Sequence, residues 1–315
     1  MLRSLCLMAG LAATAFGAPL EKRAVAAPPG GDVAILNYAL TLEFLERKFY
    51  MEGVKKFTES DFCNAGFDKE FYPNLLRIYE DEKTHVEFLS TALADKAIGE
   101  PTFAFPVTDV HSFVGLAGVL EGVGVSAYLG AAAAIANKDY LTAAGSILTV
   151  EARHASYIRA ALGQKPFPAS FDTPQDFNQV FSLAAQFITG LAPNTKLPFK
   201  AFPALTVGDP THTGYKVGGK VVFKGAYEAA KAAGKTDKKI VAVFYSGLQT
   251  YYVPVTIGKN KIDYVATIPG ANYAMDGQPA PAGQVYVTLS TADGKKVMAG
   301  DENTVAGVGI LEVVC

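Results

Sequence analysis

Ile78-Tyr79-Glu80-Asp81-Glu82-Lys83-Thr84-His85-Val86-Glu87-Phe88-Leu89 places a Glu-x-x-His pair inside a run with helical apolar spacing. A helix turns once in about 3.6 residues, so Glu82 and His85 leave one face and can grip a metal ion together. The pair returns at Glu151-Ala152-Arg153-His154. One such pair alone more often marks a solvated helix face. Two pairs, each preceded by a lone glutamate in an apolar helix, make the six-ligand set of a di-metal four-helix bundle.

The helices this requires are legible in chain order. Residues 32–57 carry Ile35, Leu36, Tyr38, Ala39, Leu42, Leu45 and Phe49 at three- and four-residue steps, behind Asp32 as a cap. Glu43 falls among those apolar positions, whereas Glu46, Arg47 and Lys48 read as the solvent edge of this first helix. Thr58, Ser60, Asp61, Asn64 and Gly66 predict a loop over residues 58–66. The second helix spans residues 68–98, with Pro73 in its first turn, and stops before Gly99 and Pro101. The third, capped by Asp109, covers residues 110–136, and between Phe113 and Ala136 its only charge is Glu121. Its length would suffice to cross a membrane. Glu121 at mid-span, the many Gly and Ala residues and the lack of basic flanks predict instead a buried central helix of a soluble bundle. The tight Asn137-Lys138-Asp139 connection sets the fourth helix, residues 140–162, antiparallel to the third. A shorter fifth helix begins with Thr173 as cap and Pro174 at its first position, and ends near Gly190.

An internal echo supports the layout. Leu42-Glu43 is followed by Tyr50, and Leu120-Glu121 by Tyr128, the same seven-residue step, and each of these helices precedes one that carries Glu-x-x-His. The chain therefore reads as two helix pairs about a pseudo-twofold axis.

The candidate metal ligands are Glu43, Glu82, His85, Glu121, Glu151 and His154. Four carboxylates and two neutral imidazoles balance the charge of two divalent cations, which a buried site needs because unpaired buried carboxylates are costly. Carboxylate with imidazole suits iron or manganese, and zinc stays open. Two such ions can share an oxygen ligand and exchange electrons with dioxygen or peroxide. Tyr50, Tyr79, Tyr128 and Tyr157 are candidates to hydrogen-bond the carboxylates, with ordinary core packing as the competing reading. His111, His212 and Arg153 read as surface residues.

On these residues the chain resembles a known family. Residues 32–190, with Glu43, Glu82-x-x-His85, Glu121 and Glu151-x-x-His154, look like the ferritin-like superfamily of di-iron and di-manganese carboxylate proteins. More narrowly, Leu36-Asn37-Tyr38-Ala39-Leu40 through Leu45-Glu46 resembles the secreted ferritin-like stress-response and sexual-development proteins of fungi and the desiccation-related proteins of plants. The resemblance implies fold and site. It leaves the activity open among ferroxidase, peroxidase, catalase and oxygenase chemistry.

From about residue 213 the pattern changes to short β-rich runs, among them Lys220-Val221-Val222-Phe223, Ile240-Val241-Ala242-Val243-Phe244-Tyr245 and Val285-Tyr286-Val287-Thr288-Leu289. Gly, Pro, Asn and Asp clusters separate them, which predicts a small immunoglobulin-like β-sandwich. The expected organisation is a signal peptide at 1–17, a propeptide at 18–23 ending in Lys22-Arg23, a helical bundle at 24–192, a proline-punctuated linker at 193–212 and a β-domain at 213–315. Arg3 ahead of an apolar run, then small residues, carries the signal reading and with it secretion, with the cell wall as a further location. Cys63 and Cys315, the two cysteines left after signal removal, are then expected to pair.

With half its residues hydrophobic and a formal charge of -2, the 315-residue chain shows no clustered basic face for nucleic acid and no membrane anchor once the signal is removed. The first functional expectation is a secreted di-metal oxidoreductase acting on peroxide or dioxygen, in stress protection or development. The alternative is a non-enzymatic stress or wall protein, in which metal only staples the bundle and the sandwich binds a partner or a cell-wall polysaccharide. The apolar circumference of the third helix calls for cover on all sides, by the fifth helix, the sandwich or a second copy in a homodimer.

Overall fold

A computed structural model describes residues 25–193, 195–208 and 214–314. The segments read as signal peptide and propeptide lie outside the described residues, as does Cys315; Cys63 is exposed and has no disulfide partner among the described residues, and the expected pairing falls on a residue that is not described.

The first half is helical: α1 (Gly31–Lys56), α2 (Glu59–Asn64), α3 (Phe71–Leu93), α4 (Val110–Ala131), α5 (Lys138–Ala161) and α6 (Phe177–Ala184). Helices α1, α3, α4 and α5 form the bundle, α1 packing on α3 and α4 on α5. Two strands, β1 (Thr102–Phe103) and β2 (Ile188–Gly190), pair antiparallel and tie the crossover to the segment after α6.

Three local readings change. The Asp32 side chain does not cap α1; it accepts from Ala136 N at 2.9 Å and Asn137 N at 2.8 Å, so it fastens the start of α1 to the α4–α5 connection. The expected loop at 58–66 contains α2, because Thr58 and Asp61 cap each other: Asp61 N donates to Thr58 Oγ1 and Thr58 N to Asp61 Oδ2. Helix α6 begins later than Thr173, where Asp176 accepts from Gln179 N at 2.7 Å, while Thr173 Oγ1 accepts from Gly247 N in the β half.

The second half contains β3 (Thr206–Val207), β4 (Tyr215–Lys216), β5 (Lys220–Lys224), α7 (Ala226–Ala232), β6 (Val241–Ser246), β7 (Gln249–Pro254), β8 (Thr256–Ile257), β9 (Tyr264–Thr267), β10 (Gly283–Ser290) and β11 (Thr304–Val314). They form a five-stranded sheet, β4-β11-β10-β6-β7, and a four-stranded sheet, β3-β5-β9-β8. The alternation of side chains along β6 explains how the sheets and helices stack. Ala242 and Phe244 join the core between the two sheets, whereas Val241, Val243 and Tyr245 join the core of the helical bundle. The five-stranded sheet is thus a middle layer, covered on both faces, which is why every residue of β6 is buried. The stretch read as a linker is packed over its described part: Phe199 stacks on Phe177 and meets Tyr38 edge-on, and Leu205 enters the sandwich core.

Helix α4 runs through the centre of this arrangement. The run Val110–Ala134 is long and apolar enough to cross a membrane, but 67% of its most apolar window is buried inside the fold, as a central helix should be. Its small residues allow close approach. A Cβ at Gly122 would lie 2.5 Å from Gln284 Oε1, and Ser126 Oγ lies 2.7 Å from Tyr286 Oη, so β10 rests directly on this face.

Arg159 of α5 closes the junction with two hydrogen bonds, 2.9 and 2.7 Å, to the carboxylate of Glu312 on β11. Glu312 keeps 21% of its side chain in solvent, so Arg159→Leu is expected to cost about 2 kcal/mol, less than a fully buried pair. Adding Glu312→Leu should recover about half of the loss, because the stranded carboxylate is then gone. Urea denaturation of the three variants checks this; equal midpoints for Arg159→Leu and wild type would show the pair to be idle.

Candidate metal centre

Helices α1 and α4 each bring one glutamate inward, Glu43 and Glu121, and α3 and α5 each bring a Glu-x-x-His pair. All four carboxylates are fully buried, and His85 and His154 are 8% and 7% exposed. Both imidazoles turn Nδ1 inward. His85 Nδ1 lies 3.2 Å from Glu43, 3.3 Å from Glu82 and 3.4 Å from Glu151. His154 Nδ1 lies 3.1 Å from Glu82 and 3.3 Å from Glu121.

The donors fall into two sets whose ligand atoms lie within 4.8 Å of one another: Glu43, Glu82, His85 and Glu151, and Glu82, Glu121, Glu151 and His154. Glu82 and Glu151 belong to both, so two ions would share them as bridges. The donors also fit a metal by what they lack. Glu82 Oε1, Glu121 Oε2, both oxygens of Glu151 and His154 Nδ1 are buried without a well-aligned hydrogen bond, with only ion-pair contacts among carboxylates and imidazoles to offset their burial, an expense that coordination to cations would remove.

Around this box the pseudo-twofold symmetry is visible in the tyrosines. Tyr50 of α1 donates to Glu121 of α4, and Tyr128 of α4 donates to Glu43 of α1. Each phenol occupies one carboxylate oxygen and leaves the other for an ion. Tyr157 instead accepts from Asn74 and stacks on Phe71, and Tyr79 lies under the Lys83 ammonium; neither joins the centre.

Two residues at the centre escaped the sequence reading. Glu46, read as solvent edge, is 3% exposed and its carboxyl group is a fifth acid beside the box. Burial, reinforced by Glu151, Glu82, Glu43 and Glu121, raises its pKa well above the carboxylate range. Its signal was the spacing: Glu43-x-x-Glu46 repeats the i, i+3 geometry of the Glu-x-x-His pairs. The matching position on α4 is Gly124, where a Cβ would sit 3.1 Å from Glu46 Oε1 and 3.0 Å from Glu151 Oε2. Asp81 is the second; its Oδ2 lies 3.3 Å from His154 Nε2 and orients the ring from outside.

Without metal the centre must hold protons. Burial raises Glu82 to about 7 and Glu151 to about 8, each aided by carboxylate neighbours and opposed by hydrogen bonds from the histidines. His154 is raised to about 11: burial opposes its charge, but Glu121 and Glu82 outweigh it. His85 is raised as well, burial again opposing and Glu151, Glu43 and Glu82 prevailing. All these groups bind protons more tightly in the folded chain than in the unfolded one, so stability present at low pH is lost as pH rises. For Glu82 and Glu151 the window runs from 4.5 to about 8, and for His154 from 6.5 to about 11. Chelator-stripped protein is therefore expected to melt about 5 °C or more lower at pH 9 than at pH 5. Metal-loaded protein should not follow that slope, since ions replace the protons. Thermal melts of both forms across this range check the sign.

Comparison with known proteins agrees with this geometry. Residues 31–164 match the family model described as Ferritin-like domain. Residues 31–164 form a ferritin-like domain. The chain is also 33% identical over 195 residues, 59% of its length, to Protein rds1 of Schizosaccharomyces pombe (strain 972 / ATCC 24843). That match covers 47% of the relative, so the chain spans about half the length of the curated protein it resembles. The ferritin-like match ends at Gln164, just past α5, and so contains all six candidate ligands, Glu46 and both tyrosines, whereas α6 and the β half stand outside it.

Proposed function

We propose that this chain is a secreted di-metal carboxylate oxidoreductase that acts on peroxide or dioxygen, in stress protection or development. The observation that carries the reading is the pair of donor sets sharing Glu82 and Glu151, with unpartnered carboxylate and imidazole atoms facing inward. Carboxylate and imidazole donors favour iron or manganese, which would supply the electron exchange with the oxidant.

The chain's own residues have separate tasks in this reading. Glu82 and Glu151 would serve both ions, and Glu43 with His85 and Glu121 with His154 would each complete the ligands of one. Tyr128 and Tyr50 fix the rotation of Glu43 and Glu121, and Asp81 fixes that of His154. The fully buried carboxylates and their apolar surroundings keep bulk water from the centre. Glu46 stands beside the box, where burial favours the protonated form of its carboxyl group. Secretion rests on the charged and apolar pattern of residues 1–17.

Elemental analysis of natively produced protein tests the reading. About two ions of iron or manganese per chain are expected from the two donor sets, and a content below about 0.2 would overturn it. Oxygen release from peroxide and dioxygen consumption by the loaded protein then separate an enzyme from a protein in which metal only braces the bundle.

A further inference from the structure

A cavity of about 260 Å³ lies where α1 and α4 meet the segment after α6 and strands β3 and β11. Its wall is apolar on both sides, Leu45 and Val123 from the bundle and Val207 and Ile310 from the β half. The cavity deepens from solvent toward the centre: Gln186 at its rim is exposed, Val207 and Ile310 are half-buried, and Leu45 and Val123 are buried. Its floor is formed by Glu46 and Gly124, and among the described residues Glu46 is the one acidic side chain in the lining.

The floor borders the carboxylate box. Gly124 lines the cavity, and a side chain there would meet Glu151 Oε2 and Glu46 Oε1 at 3.0 and 3.1 Å, so its missing Cβ lets both carboxyl groups pack directly against α4 where cavity and box adjoin. Glu46 Oε2 is buried and has no hydrogen-bond partner among the described residues, so the carboxyl group that lines the floor keeps unused hydrogen-bonding capacity. Size and polarity then define what fits. An apolar cavity of about 150 Å³ takes benzene, so this one takes a molecule of about ten heavy atoms.

We infer that this cavity binds a small, mainly apolar organic molecule, ring or chain, that carries one hydrogen-bonding group for Glu46, and that the β half exists in part to wall this site. The placement of the molecule beside a metal centre rests on the function proposed above; the binding itself does not. Two faces of unrelated composition, one from the ferritin-like half and one from the sandwich, create the volume, so neither half alone would hold it.

The test uses the full chain in both chelator-stripped and metal-loaded forms. Crystals pressurised with xenon should show density in this cavity, and indole should raise the melting temperature of both forms. Val207→Phe at the half-exposed rim and Val123→Phe in the wall should each fill the volume and weaken indole binding tenfold or more. The rim variant keeps the test decisive should the core variant fail to fold. Absence of xenon from the cavity, or equal indole affinity in wild type and Val207→Phe, overturns the inference. Indole binding to protein that takes up no metal would uphold the site while removing the metal reading. Metal uptake without probe binding would do the reverse.

Discussion

Glu82→Gln and Glu151→Gln should each strip the centre of both ions, whereas Glu43→Gln and Glu121→Gln should each leave about one ion per chain. The difference follows from membership: Glu82 and Glu151 stand in both donor sets, and Glu43 and Glu121 in one each. Glutamine keeps the volume and removes the charge, so packing loss does not confuse the result. Stability separates the variants a second time, and with opposite signs. Loaded wild type should melt well above loaded Glu151→Gln, because ions that bind only the folded chain stabilise it. Stripped Glu151→Gln should match or exceed stripped wild type, because one member of a buried, mutually repelling set of acids is gone. Metal content by elemental analysis and paired thermal melts provide both readings. Equal metal loss in all four variants would show that no ligand is shared.

Gly130→Ala should destabilise the chain by about 3 kcal/mol or more, although helix propensity alone favours alanine by about 1 kcal/mol. A Cβ at residue 130 would lie 1.8 Å from the carbonyl oxygen of Gln175 and 3.0 Å from its backbone nitrogen. Main chain cannot step aside as a flexible side chain would. Gln175 is 1% exposed and its N–H donates to Ser126 O on the same helix at 3.1 Å, so the strand of chain leading into α6 is held against α4. Gly145→Ala on α5 is the control, since nothing lies within 4 Å of its added carbon. It should stabilise by up to about 1 kcal/mol. Chemical denaturation of both variants decides; stabilisation of similar size at the two positions would mean that α4 is not packed as described.

The bundle was legible because its signals are local. Helical spacing around Glu43, Glu82, Glu121 and Glu151 needs only neighbours three and four residues away, and the i, i+3 pairs with His85 and His154 lie on one face by geometry alone. The echo of Glu43 with Tyr50 and Glu121 with Tyr128 also carried the pairing of helices, and the structure crosses these residues over, each tyrosine reaching the other helix's glutamate. Glu46 was not legible in the same way. Arg47 and Lys48 beside it mark a solvent edge, and Arg47 does reach outward to Glu100. One hundred degrees of helical rotation separate consecutive residues, so neighbours in sequence can face the core and the solvent.

The β half shows the same division. Strand runs and turn clusters identified a sandwich, yet the unbroken apolar stretch from Ile240 to Tyr245 carried a further message: a strand buried on both faces has no polar side to alternate. Reading that run as half of a separate domain hid the fact that Val241, Val243 and Tyr245 pack on the helices. The close approach of two carboxyl groups to Gly124 was likewise invisible as a feature, since it is one small residue among many in a helix rich in them.

The sequence by itself determined the helices, the six ligand candidates and the sandwich, since each depends on periodicity within a segment and on the chemistry of the side chains it repeats. Only the tertiary structure decided that Glu82 and Glu151 are common to both donor sets, that Glu46 and Asp81 join the centre, and that the two halves enclose a cavity at its edge. Those are facts about which faces meet across long sequence separations, and no local period encodes which partner covers a helix face.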